Sequence, residues 1–216
     1  MRSLILALLL VPALAVARPP SKKEVDQELV RMSIEDLSAL RDAEDQLRQA
    51  ETQLAAADQE GKNAVLDGKA ARLWVDAGKS IQKALEAETK AADAWARIDQ
   101  RASLASKSTI AEANLSWREA RLDAAKEFQS YQQARINWAK SVVDTAQAQV
   151  AVERMKAYDA KVGGNPDAQL ELGKRQNALG KAKSAEGKTR SKMEKAEAVW
   201  QGAQGKAQHI DPNASE

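Results

Sequence analysis

Leucine recurs every seven residues early in the chain, at Leu40, Leu47 and Leu54, and a matching series returns near its end as Leu172, Leu179, Met193 and Trp200. Ala182, Ala196 and Ala203 lie close to that second stripe. Seven-residue spacing keeps one face of a helix turned towards a partner helix, so both series predict long helices that pair along an apolar seam. Glu44, Glu51 and Glu186 interrupt the stripes and alanine fills much of the rest, which makes the seam thin. No stretch shows the alternating β-branched pattern of a half-buried strand. The pattern predicts an all-α fold.

Breaks in the pattern divide the chain. Residues 58–62, centred on Gly61, read as a first turn, and the polar, serine-rich stretch 99–109 as a second. The strongest breaker is 161–167: Gly163 and Gly164 end one helix, and Asn165 with Pro166 starts the next as N-cap and first helical residue. The expected architecture is therefore long antiparallel helical hairpins forming an elongated four-helix coiled-coil-like bundle over residues 33–208. Its helices would be roughly 35 to 50 residues and about 50 to 75 Å long. A Pro-containing spacer and helix start (18–32) precede it, and a polar tail (209–216) follows.

Trp74, Trp95, Trp117 and Trp138 are separated by 21, 22 and 21 residues, about three heptads each time. A reversal near residue 106 would set Trp95 against Trp117 and Trp74 against Trp138. Thr109 and Glu112 support it as a capping box opening the next helix. These four indoles, with Trp200, are then expected to fill the bundle's own seam. From Ser21 to Glu60 there are five basic and eleven acidic residues, and from Pro166 to Gln208 nine basic and five acidic. Such first and fourth helices would attract one another across a closed bundle.

Seven of the ten glycines precede lysine, and Gly173, Gly180 and Gly187 do so in heptad register. A phosphate-binding loop does not fit, because no strand precedes any of them and the first loop glycine is missing. Two structural readings stay open for the register. The glycines either open a groove for close approach of another helix or a Trp ring, or they soften an exposed stripe that the lysines keep soluble.

The amino terminus carries a compartment signal. Arg2, the apolar run Leu4 to Val11 and the small-x-small site at Ala15 and Ala17 read as a secretory signal peptide (1–17). The run is too short to span a bilayer, which takes ~20 apolar residues. The expected location is the periplasm or, failing that, the extracellular space. With zero cysteines there is no disulfide framework, and burial and helix propensity must hold the fold.

Charge and residue types narrow the function. A formal net charge of +2 lacks the basic excess of a nucleic-acid binder. His209 is the only histidine and lies in the tail, so neither a His-based triad nor a His-containing metal site can be assembled. Ser80 and Lys83 match S-x-x-K without its companion motifs. No catalytic, cofactor or metal residue is assigned, and no small-molecule substrate is expected. In composition and period most of the chain resembles exported helical hairpins: the coiled-coil arms of periplasmic adaptor proteins and the tentacles of small periplasmic chaperones that carry outer-membrane proteins. The adaptors' β and lipoyl-like segments and the chaperones' strand-rich body are absent, and no residue role is carried over. The reading is an exported, non-enzymatic structural or interaction protein of the cell envelope, with a protein partner or self-association. The alternatives are a holdase-like chaperone and a helical binder of the envelope surface or membrane.

Overall fold

A computed structural model describes residues 19–211. The signal-peptide reading, with Ala15 and Ala17, and the last tail residues lie outside them. The described residues form four helices and no strand: α1 (Lys22–Leu29), α2 (Ser38–Ala94), α3 (Ile98–Val162) and α4 (Pro166–His209). The segment expected as a spacer thus contains a complete short helix. It starts at a capping box in which Ser21 accepts from the Glu24 amide and Glu24 accepts from the Ser21 amide. The last break falls where expected. Gly163 and Gly164 take φ of 75° and 79°, and the Asn165 side chain accepts from the Asp167 amide ahead of Pro166.

The expected turn at 58–62 does not exist; α2 runs unbroken through it. Gly61 has no positive φ, and a Cβ built on it would lie 2.7 Å from Ile136 Cδ1. The glycine leaves room for the Ile136 side chain of α3 and does not turn the chain. The second reversal comes earlier than 99–109, at Trp95, Ala96 and Arg97. Ala96 supplies it with φ of 52°. The serine-rich stretch is helical, and Thr109 is no N-cap, because its hydroxyl donates to the Ala105 carbonyl within α3. With two turns rather than three between the long helices, α2 and α3 reach 57 and 65 residues. At 1.5 Å per residue that is about 85 Å and 98 Å.

What keeps α2 and α3 together is a heptad of small residues. Ala43, Ala50, Ala57, Ala64, Ala71, Gly78, Leu85 and Ala92 hold one position over eight heptads. Leu40, Leu47, Leu54, Gly61, Gly68 and Val75 hold the neighbouring position. Ala57 and Ala64 are 2% and 1% exposed. Larger side chains of α3 fill the gaps: Ile136 over Gly61, Gln129 over Gly68, Leu115 and Arg118 over Gly78. Gln129 also donates to the Ala64 carbonyl at 3.1 Å, and the adjacent Gln132 is buried. These amides put a polar layer in the seam, a device that specifies register at some cost in stability.

The opposite face of α3 receives α4. Ser141 meets Thr189 at 2.6 Å, and Trp200 stacks on Tyr131 with centroids 5.4 Å apart. Although the helices are antiparallel, the arrangement is not a closed ring: no Cα of α2 lies within 8 Å of one in α4. The helix α3 is the middle of three, which corrects the expected attraction between an acidic first helix and a basic fourth. The acidic segment instead pairs with α3, through Glu60 with Arg135 and Asp26 with Arg154. One end is capped by α1, where Val25, Leu29, Leu40, Met155, Tyr158 and Ala168 close a core, Met155 at 1% and Ala168 at 0% exposure.

Candidate interaction surface

The helix α4 is shorter than the hairpin it packs on. Its last turns, with Ala207 and Gln208, reach Trp117, Arg121 and Ala124 of α3, and there it stops. From that level to the tip, about 30 Å of the α2–α3 hairpin at the usual rise continues without a third helix among the described residues. Apolar side chains there are open, Trp95 at 73%, Ile98 75%, Ile110 59% and Ile81 50% exposure, as Leu66, Leu73 and Leu170 are elsewhere on the molecule.

The tip is tightly made. The amides of Trp95, Ala96 and Arg97 donate to the carbonyls of Ala91, Asp93 and Ala92. Arg101 reaches back to Asp93 at 2.9 Å, and the Arg97 guanidinium lies 5.7 Å from the Trp95 ring centroid. The tip therefore presents an indole and a cation on a short, fully bonded turn.

Down one flank runs a groove made of four hollows in line. The first, about 510 Å³, lies beside Trp95 and Leu104 and ends at Lys107. The second, about 290 Å³, shares Lys107 and is walled by Ile81, Leu85, Ile110 and Leu115 down to Arg118. The third, about 450 Å³, shares Arg118 and lies against Trp74 and Arg121. The fourth, about 440 Å³, shares Asp67, Arg121 and Ala125 with the third and ends at Phe128 and Trp200, beside the last turns of α4. Its middle is cationic. Lys107, Arg118 and Arg121 line the second and third hollows, with Asp67 as the one carboxylate at their lower edge. Glu88 and Asp99 lie at the upper end, beside Arg97.

Two of these cations are held in place. Arg121 sits between two indoles, its guanidinium 5.4 Å from the Trp74 centroid and 5.1 Å from that of Trp117. Arg118 donates to the Trp74 carbonyl at 3.0 Å. Below them, Phe128, Tyr131 and Trp200 form an aromatic cluster that anchors the end of α4. Burial pushes the Tyr131 phenol above its ordinary value; the Glu197 charge adds to the shift and Arg135 opposes it.

The tryptophans and glycines singled out in the sequence separate here. Trp95 does not face Trp117. The cross-hairpin pairs Trp74–Arg118, Ala64–Gln129 and Glu60–Arg135 are centred on residues 96 to 98, so Trp95 stands at the turn itself. Trp74 meets Trp117 through Arg121 rather than meeting Trp138. Trp138 and Trp200 are half-buried, but Trp74 is 51% exposed, so the indoles do not all fill the seam. Within this chain no helix and no indole approaches Gly173, Gly180 or Gly187, because an added Cβ would meet nothing within 4 Å at any of them. The three glycines therefore take no part in the packing of this chain's own helices. Gly61, Gly68 and Gly78, which sequence reasoning passed over or took for a turn, are the close-approach glycines. Their signal was their place in the same heptads as Leu54 and Ala71.

Among the described residues no group of three or more His, Cys, Asp or Glu side chains is placed to hold a metal ion, and no helix is long and apolar enough to cross a membrane. No family model, curated protein or solved structure matches this chain. The geometry defines the class alone: an all-α protein of long antiparallel helices, a helical bundle with one uncovered hairpin end.

Proposed function

We propose that this chain is an exported, non-enzymatic helical adaptor of the cell envelope that engages a protein partner through the uncovered end of its α2–α3 hairpin. The observation that carries the reading is the hairpin's continuation past α4 with Trp95, Ile98, Ile110 and Ile81 left in solvent. Large apolar side chains gathered on one surface mark sites of association. Helix-in-groove or coiled-coil pairing is the mode such a surface offers. Export rests on the amino-terminal pattern of the sequence.

The test is site-specific photocrosslinking in the native host. A crosslinker at Ile81 or Ile110 should give one discrete adduct with an envelope protein, and the same group at Gly180 should give none. Equal labelling at all three positions would count against a hairpin site. The exposure of Trp74 and Trp95 also favours the holdase reading, in which unfolded clients are gripped along the hairpin. Suppression of aggregation of several unrelated outer-membrane proteins at stoichiometric ratio would establish that reading in place of the adaptor.

A further inference from the structure

We propose that the flank groove is a seat for one amphipathic α-helix of the partner, apolar along its inner stripe and acidic at its centre. This rests on the reading of the hairpin as a partner-binding element and names the chemistry of what binds.

The shape argues for a helix. The groove runs between two helices lying side by side, the place a third helix takes against an antiparallel pair, and its lower end adjoins the last turns of α4. From Gln100 to Phe128 it is about 42 Å long at the usual rise, the length of a helix of about 28 residues. Ile81, Leu85, Ile110 and Leu115 offer the middle of that helix an apolar floor.

Charge fixes the sign of the occupant. Along the middle, Lys107, Arg118 and Arg121 face one carboxylate, Asp67, while Glu88 and Asp99 stand near the tip and Asp211 lies at the lower end, in the hollow that Arg121 also lines. A helix with Asp or Glu in its two central heptads meets cations there. An acidic residue at the tip-proximal end would face Glu88 and Asp99, and one at the lower end would face Asp211. Arg118 and Arg121 are already held by the Trp74 carbonyl and by two indole faces, so little side-chain freedom is lost when they pair. A second copy of this chain is a poorer occupant. Its own uncovered flank would bring Lys107, Arg118 and Arg121 towards the same cations when the two middles are aligned. An anionic lipid surface would meet a concave groove only along its rims.

The probe is a labelled 28-residue helical peptide with Leu at the seam positions and Glu flanking them in the two central heptads. A second peptide carries Lys at those flanking positions. Binding to the full chain is followed by anisotropy and by tryptophan emission. The Glu peptide should bind at least tenfold more tightly than the Lys peptide, and the gap should narrow as salt rises. In a Lys107→Glu/Arg121→Glu variant with unchanged helical circular dichroism, the preference should reverse. Lys107→Glu alone, at a position with no packing role, should narrow it.

Equal affinities, no binding of either peptide, or an unchanged preference in both variants would overturn the proposal. So would a dimer dissociated by Ile110→Glu, or binding to phosphatidylglycerol vesicles that blocks the groove. Peptide failure together with a discrete envelope adduct at Ile110 would refute the helix chemistry and leave the hairpin reading standing. Absence of that adduct refutes the hairpin reading itself.

Discussion

Gly61 and Gly180 are both helical glycines followed by lysine, yet an added methyl would meet Ile136 Cδ1 at 2.7 Å on the first and nothing within 4 Å on the second. Exchanging a helical glycine for alanine is worth about 1 kcal/mol where nothing opposes it. Gly180→Ala should therefore raise the unfolding free energy by about that much, while Gly61→Ala should gain less, because the Ile136 Cδ1 methyl must turn aside. Denaturant titration of both variants reads the difference; equal gains would mean that Gly61 is not a contact glycine. The same scale holds a pH effect. The Tyr131 phenol is raised in the folded state, first by burial and then by Glu197. A folded-state value above the unfolded one means that the neutral phenol is favoured by folding. Its contribution is complete below the ordinary phenol value of 10.0 and is lost as pH rises through the higher folded value. Stability should fall in that alkaline window, and Tyr131→Phe should remove part of the fall. A variant with the wild-type alkaline slope would show that Tyr131 is not responsible.

At the scale of the element, the helices were legible in the sequence and their lengths were not. Leu40, Leu47 and Leu54 announced a heptad, but the stripe continues as Gly61, Gly68 and Val75, beside Ala57, Ala64 and Ala71. A glycine buried between helices has no hydropathy to reveal it, so Gly61 passes for a breaker although it belongs to the seam. The break at Gly163 to Pro166 was legible because it depends on local chemistry: two left-handed residues, a side-chain cap and a proline. The tip was illegible for the opposite reason. Ala96 adopts φ of 52° without being glycine, asparagine or aspartate, so nothing local signals the turn. The backbone hydrogen bonds of the turn and the pairing of α2 with α3 on either side impose that conformation, whose cost for an L-residue is about 1 kcal/mol. Ala96→Gly should relieve it and stabilise the hairpin by somewhat less than that, since glycine also loses more freedom on folding. A lowered melting temperature would mean that Ala96 contributes packing that outweighs its backbone strain. The groove was hidden with the tip, since which faces of α2 and α3 align depends on where the chain reverses.

Across the whole molecule, packing thins from one end to the other. Near Met155 four elements converge, with Val25, Ala168 and Met155 at 5%, 0% and 1% exposure. In the middle α3 lies between α2 and α4, held through Ala50, Val143 and Ala146 on one side and Trp200 with Tyr131 on the other. Past the end of α4 only two helices remain among the described residues, and their seam there is made of Gly78, Leu85, Ala92 and Leu104 with open flanks. Because α3 runs the full length as one helix, its amides sample all three environments. Local opening needs less free energy where fewer apolar contacts must break. Amides of residues 100–112 should therefore exchange hydrogen faster than those of residues 145–157 by at least about tenfold, a difference of about 1.4 kcal/mol in opening. Native-state hydrogen exchange read by mass spectrometry or NMR along α3 gives the profile directly. A flat profile would show that the hairpin opens only with the whole molecule. A graded one gives the uncovered end a physical reason to be the working end: a partner helix seated in the flank groove adds a third helix beside the pair, and the slowing of exchange on α3 should fall between Gln100 and Phe128 and not reach residues 145–157.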